Sequence, residues 1–331
     1  MTRPCTLHLS RIAGLAAAIV VLAGCGRPGV PKQETSASRN ERAASPHLVV
    51  FAPPPLSEIP DDAFGAEVRH GEALFRNTLA NAPQYVGNSL TCQSCHLDAG
   101  RLAGSAPMWA AWVSYPAYRS KDRRVDTFAA RLQGCFRYSM NGKPPPLGSP
   151  VLVALEAYSY WMAKGAPTGA LLAGARYPVL PRPAQGWNYA RGKTVYEQHC
   201  ALCHSPDGQG LLVDGKPWFP PVWGSRSYNW GAGMARLDLA AGFIKGNMPL
   251  GNGGSLTDQQ AWDVAYYIDG HERPQDPRYL GSILATREAF HAGPFDTYGR
   301  SVDGRLLGAG TGTTGTTTGA HGKRATKPAG T

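Results

Sequence analysis

Cys92-Gln93-Ser94-Cys95-His96 and Cys200-Ala201-Leu202-Cys203-His204 decide how this chain folds. Each run puts two thiols and an imidazole on one short turn. That is the set needed to add covalently to the two vinyl groups of a porphyrin edge and to hold its iron from one side. An isolated Cys-x-x-Cys leaves a redox dithiol or a zinc site open. Two copies, each followed directly by His and each preceded by an amphipathic helical pattern, favour two covalently attached haem c groups. Cys92, Cys95 and His96 would hold the first, and Cys200, Cys203 and His204 the second.

The surroundings of the two motifs repeat. Acidic residues after Pro60 open a predicted helix reaching about Thr78, and the first motif follows. Thr127 to Tyr138 alternates apolar and basic positions at helical spacing, and Ser149 to Ala163 is a second, more apolar helix. Downstream, Trp187 to Gln198 leads into the second motif, and a helix from Thr257 to Asp269, begun by Ser255 or Thr257, closes the unit. The expected fold is therefore all-α, with tandem cytochrome c domains at 61–164 and 186–290 joined by a Pro- and Gly-bearing linker at 165–185. A length of 331 residues suits two cores, and 43% hydrophobic against 17% charged residues excludes a fibrous or wholly disordered chain.

Both ends carry a different signature. Arg3 and Arg11 precede an apolar stretch, Ile12 to Ala23, that is too short to span a bilayer. It ends in Leu22-Ala23-Gly24-Cys25, which resembles the lipobox of bacterial lipoproteins. Residues 1–24 are thus expected to be a signal peptide, and Cys25 an acylated anchor holding a periplasmic protein at a membrane. A Pro-, Ser- and Ala-rich stretch at 25–60 reads as a flexible tether. Residues 291–331, ending in Gly, Thr and Ala repeats, read as a disordered tail. The net charge of +10 includes residues of both ends. With no zinc-finger spacing, RNA-binding signature or long basic helix, nucleic acid is not an expected partner.

Seven Cys are present, and only Cys135 is left without a place among the two motifs, the signal segment and Cys25. A leftover Cys in an oxidising compartment suggests a metal ligand, a reactive thiol or a small buried hydrophobe. Position separates these readings. Met248, in Asn247-Met248-Pro249, follows His204 by about forty residues, as a Met ligand of a second haem would, with Met234 the alternative. Cys135 follows His96 by a similar interval, while Met108 and Met140 sit in less suitable settings, so Cys135 is expected to ligate the first iron. Around it lie Arg119, Lys121, Arg123, Arg124, Arg131 and Arg137, opposed by Asp122 and Asp126. Most of such a cluster is a solvated face. Arg131, one turn before Cys135, should point to the same side, and Ser139 offers a further donor, so the pair suits a small oxyanion.

Four stretches, SCHLDAGRLAGSAP, YPAYRSKDRRVDTFAARLQGCFRYSMNG, CALCHSPDGQG and GAGMARLDLAAGFIKGNMP, resemble the dihaem thiosulfate dehydrogenases, tetrathionate-forming cytochromes c. The resemblance implies that Cys135 is the distal ligand of a catalytic haem, with Arg131, Arg124 and Ser139 lining the substrate pocket. It implies reversible oxidation of two thiosulfate ions to tetrathionate, with electrons leaving through a Met-ligated haem to a soluble cytochrome or similar carrier. Some members use a Lys near the Met as an exchanging ligand, for which Lys245 stands in this sequence. The alternatives are a non-catalytic, membrane-tethered electron shuttle and a dihaem subunit that conjugates thiosulfate to a carrier protein.

Overall fold

Asp62 opens the first helix, Ala63–Arg76, by accepting a hydrogen bond from the Gly65 N–H at 2.8 Å. Val68, Gly71, Leu74 and Phe75 recur at helical spacing and are buried. They face the helix Pro150–Met162, which buries Leu152, Leu155, Tyr158 and Met162. The two helices touch backbone to side at Gly71, where an added Cβ would lie 2.1 Å from the Ala154 carbonyl oxygen. The second half repeats this device. Helix Tyr189–His199 crosses helix Asp258–Asp269 at Gly192, whose Cβ would lie 1.9 Å from the Asp263 carbonyl oxygen. The start of that last helix is settled by Thr257, whose hydroxyl accepts from the Gln260 N–H while the Gln260 side chain accepts from the Thr257 N–H.

This computed structural model describes residues 48–213 and 216–311. The rest of the architecture is short helices and three two-stranded antiparallel hairpins, Ala117–Arg119 with Arg124–Asp126, Leu211–Val213 with Lys216–Phe219, and Ser301–Val302 with Arg305–Leu306. The fold is all-α in class, as the sequence implied. A helix that the sequence reading did not place, Leu237–Asn247, packs on Asp258–Asp269 and ends at Met248. Among the described residues no helix is long and apolar enough to cross a membrane.

Both expected unstructured ends need correction where they are described. Residues 48–60 are packed, not loose: the Val49 N–H donates to the Leu171 carbonyl at 2.8 Å, and the Phe51 ring lies against Trp109. Residues 291–311 are packed as well, because Tyr298, Val302 and Leu307 are buried in the same cluster as Leu74, Trp109 and Trp230. The signal segment 1–24, Cys25, the first part of the tether and residues 312–331 lie outside the described residues.

Two hydrophobic clusters result. The second gathers Val195, Tyr196, Trp223, Leu237, Phe243, Ile244 and Trp262 around the second motif. The first is not confined to the first half, since Tyr228, Trp230, Ala232 and Ala235 join it from beyond the linker.

Candidate haem and oxyanion site

The first motif folds as a short 3-10 turn at Cys92–Ser94. Thr78 holds it in place, its hydroxyl accepting from the Cys92 N–H at 3.0 Å and donating to Cys92 Sγ at 3.3 Å. The His96 ring faces inward with Nδ1 engaged by the Ala106 carbonyl oxygen at 2.7 Å, which leaves Nε2 as the nitrogen available to a metal. Burial pushes the His96 imidazole down to about 4 and the Cys92 and Cys95 thiols up to about 12. His96 is therefore neutral, as a metal ligand must be.

Opposite this turn, Phe128–Gly134 is an α-helix that widens into a π-helix over Cys135–Ser139. π-turns are rare and recur at functional sites. One cavity is lined by Cys92, Cys95 and His96 on one side and by Cys135, Ser139 and Met140 on the other, with Phe75, Leu90, Met108, Leu132 and Leu155 as apolar walls. The two Cys of the attachment motif, a neutral imidazole and a second soft donor thus face a common apolar space, and this donor set fits a covalently attached haem, which Cys92, Cys95, His96 and Cys135 would hold. A larger, open recess beside Trp187, Tyr266, Arg287 and Arg300 contains none of these residues.

The Arg131 guanidinium donates from Nη1 to Cys135 Sγ at 2.8 Å. The Cys135 charge is the foremost reason that the Arg131 pKa is raised in spite of burial. Ser139 lines the same cavity. Arg124 does not: it is exposed, its Nε donates to Asp126 at 2.7 Å, and it is absent from the cavity wall, which corrects the sequence expectation. Arg119 is likewise occupied by Asp122 and Asp126. A third cation of the cluster, Lys121, is also absent from that wall and is held elsewhere. Its ammonium donates to the Gly231 carbonyl oxygen and lies 3.5 Å from the centre of the Tyr138 ring. Burial, joined by the charges of Arg278 and Arg131, brings Lys121 down to about 7. Arg278, 5.2 Å from the centre of the same ring, comes from the second half and carries no local sequence signal.

The second motif has the same internal logic. His204 Nδ1 is engaged by the Pro220 carbonyl oxygen at 2.8 Å, and burial lowers its pKa. Cys200 and Met248 both pack on the second cluster; Met234 touches both clusters. Lys245 donates to the carbonyl oxygens of Gly254 and Leu256 and pairs with Asp258 at 3.6 Å, contacts it would have to leave to act as an exchanging ligand.

A helical chain with two such motifs, each with an oriented histidine, is a two-domain c-type cytochrome, and a thiol held by an arginine sets its first cavity apart from a plain electron carrier. Comparisons agree with that division: the family described as "SoxA/TsdA, cytochrome c domain" matches residues 71–168, and "Cytochrome C oxidase, cbb3-type, subunit III" matches residues 188–268. Two cytochrome c domains imply covalently bound haem c. The chain is 53% identical to the thiosulfate dehydrogenase of Thiomonas intermedia over 93% of its own length and 98% of that protein's. It is 52% identical to that of Stutzerimonas stutzeri over 78% of its length and 85% of that protein's. It also matches the solved structure of thiosulfate dehydrogenase (TsdBA) from Marichromatium purpuratum with a TM-score of 0.77 and 54% identity, covering 79% of this chain and 58% of that longer one. The chain belongs to the thiosulfate dehydrogenase family.

Proposed function

We propose that this enzyme joins two thiosulfate ions through a sulfur–sulfur bond to give tetrathionate and two electrons, at the cavity where Arg131 holds Cys135. The observation that carries the reading is the 2.8 Å contact between the guanidinium and Sγ on the wall facing the attachment motif. Haem bound at the two motifs supplies one-electron acceptors and, at the first, a metal partner for the Cys135 thiolate.

The difficulty is bringing two dianions together. Arg131, held against Cys135 in a site that is largely shielded from water, supplies positive charge that offsets repulsion far better than in bulk solvent. Cys135 divides the reaction. Its thiolate forms a disulfide bond to the terminal sulfur of one thiosulfate, with loss of two electrons. The terminal sulfur of the second thiosulfate then attacks that bonded sulfur, forms the new bond and releases the Cys135 thiolate with tetrathionate. Ser139 offers a hydroxyl to the sulfonate oxygens. The same residues serve the reverse reaction.

Met248, with His204, would hold the haem of the second domain, which would supply the route for electrons to a soluble cytochrome or similar acceptor. The protein works in the periplasm, held to a membrane through lipidated Cys25. Holoprotein mixed with thiosulfate and an artificial acceptor is expected to turn over, and Cys135→Ala to lose that turnover by at least a hundredfold with both haems still attached. A Cys135→Ala variant with wild-type turnover would overturn the mechanism.

A further inference from the structure

The π-turn that carries Cys135 is held from outside. A widened turn leaves its last carbonyl groups without the regular helical donors, and buried carbonyl groups need partners. Four successive carbonyls receive them from two other segments. The Arg137 oxygen accepts from Asn229 Nδ2 at 2.9 Å and the Tyr138 oxygen from the Asn229 N–H at 3.2 Å. The Ser139 oxygen accepts from Asn88 Nδ2 at 2.8 Å and the Met140 oxygen from the Gly87 N–H at 2.9 Å.

Asn229 is 1% exposed, and each of its polar side-chain atoms is used. Nδ2 also donates to Asn141 Oδ1 at 3.0 Å, and Oδ1 accepts from the Gly231 N–H at 3.1 Å, which fixes the amide's orientation. Gly231 lies directly against the Tyr138 ring, where an added Cβ would sit 2.5 Å from Cδ1. Its carbonyl oxygen accepts from Lys121, the cation stacked on that ring. Trp230, between them, is anchored by its N–H to the Pro274 carbonyl at 3.0 Å and by its indole N–H to Glu272 at 3.1 Å.

We propose that Asn229–Gly231, a segment of the second half, is a latch that positions Cys135: it grips the backbone of the π-turn and the face of Tyr138, and so keeps Sγ turned into the first cavity. The inference rests on Cys135 being the ligand and nucleophile described above, and it assigns Asn229 as a positioning residue that touches neither substrate nor cofactor. The second domain thereby takes part in building the first site.

Asn229→Asp tests this at constant shape, since it removes both Nδ2 donors and sets a carboxylate oxygen against the Arg137 carbonyl and Asn141 Oδ1. Electron paramagnetic resonance of the oxidised holoprotein reads the first ferric haem separately from the second. The expected result is that the thiolate-type signal splits or is lost, the second-domain signal is unchanged, and kcat for thiosulfate falls at least tenfold with a smaller change in KM. Gly231→Ala reaches the same place by pushing the Tyr138 ring and is expected to show the same split signal, which keeps the test decisive if the Asp variant does not fold. An unchanged thiolate signal with turnover within twofold of wild type, in either variant, overturns the latch alone. A wild-type protein with no thiolate signal overturns the ligand assignment and the latch with it.

Discussion

Replacing Arg131 by Met keeps an unbranched stem on the helix and removes the guanidinium that lies 2.8 Å from Cys135 Sγ. A hydrogen bond to a charged partner contributes about 1.5–3 kcal/mol net. With about 1.4 kcal/mol per tenfold in rate, Arg131→Met is expected to lower kcat/KM for thiosulfate by about ten- to a hundredfold. The two groups also bear on each other electrostatically, since the Cys135 charge is the first cause of the raised Arg131 pKa. Arg131→Lys separates charge from geometry. It keeps a cation but loses the planar fork, so it should fall between wild type and the Met variant. The assay is steady-state oxidation of thiosulfate with an artificial acceptor, alongside the resonance spectrum of the ferric protein. Turnover of Arg131→Met within twofold of wild type, with an unaltered spectrum, would refute the reasoning, since it would show that the contact does nothing for the reacting sulfur.

Two further expectations concern the frame around the site. His291 is buried between Asp276 at 2.9 Å and Asp296 at 3.2 Å; burial alone would push its imidazole down, but hydrogen bonds and charge from the two carboxylates outweigh it and raise the pKa. A raised folded-state pKa gives stabilisation that is complete below the ordinary histidine range near ~6.5 and is lost as pH rises through the raised value. The unfolding midpoint should therefore fall from neutral to alkaline pH in the wild type and do so less in His291→Gln; equal slopes in the two proteins would count against the clamp. Gly71→Ala places a methyl group 2.1 Å from the Ala154 carbonyl oxygen and forces the two long helices of the first half apart. Overpacking of this kind costs about 1–3 kcal/mol, and a denaturant midpoint unchanged from wild type would show that the crossing is looser than described.

The motifs, the helices beside them and the pairing of Arg131 with Cys135 were legible because each depends on spacing within a few residues. Four positions along a helix bring two side chains together whatever the rest of the chain does. The π-turn was not legible, since a shift in hydrogen-bond register leaves no mark in composition. Asn229, Arg278 and Asn88 were hidden for another reason: they act on residues far away in sequence, and nothing in their own neighbourhood marks them. Arg124 misled because a cluster of arginines says nothing about which one is already held, here by Asp126. The tail was misjudged by averaging. Tyr298, Val302 and Leu307 are enough to bury a surface, and they sit just ahead of the Gly- and Thr-rich run whose composition dominated the reading.

That late apolar trio has a bearing on how the molecule is made. Tyr298, Val302 and Leu307 come late in the chain yet pack in the same cluster as Leu74 and Trp109, so that cluster is complete only when this last described segment is in place. A chain cut short before Tyr298 would keep both attachment motifs and lose part of the cluster that the first half packs into.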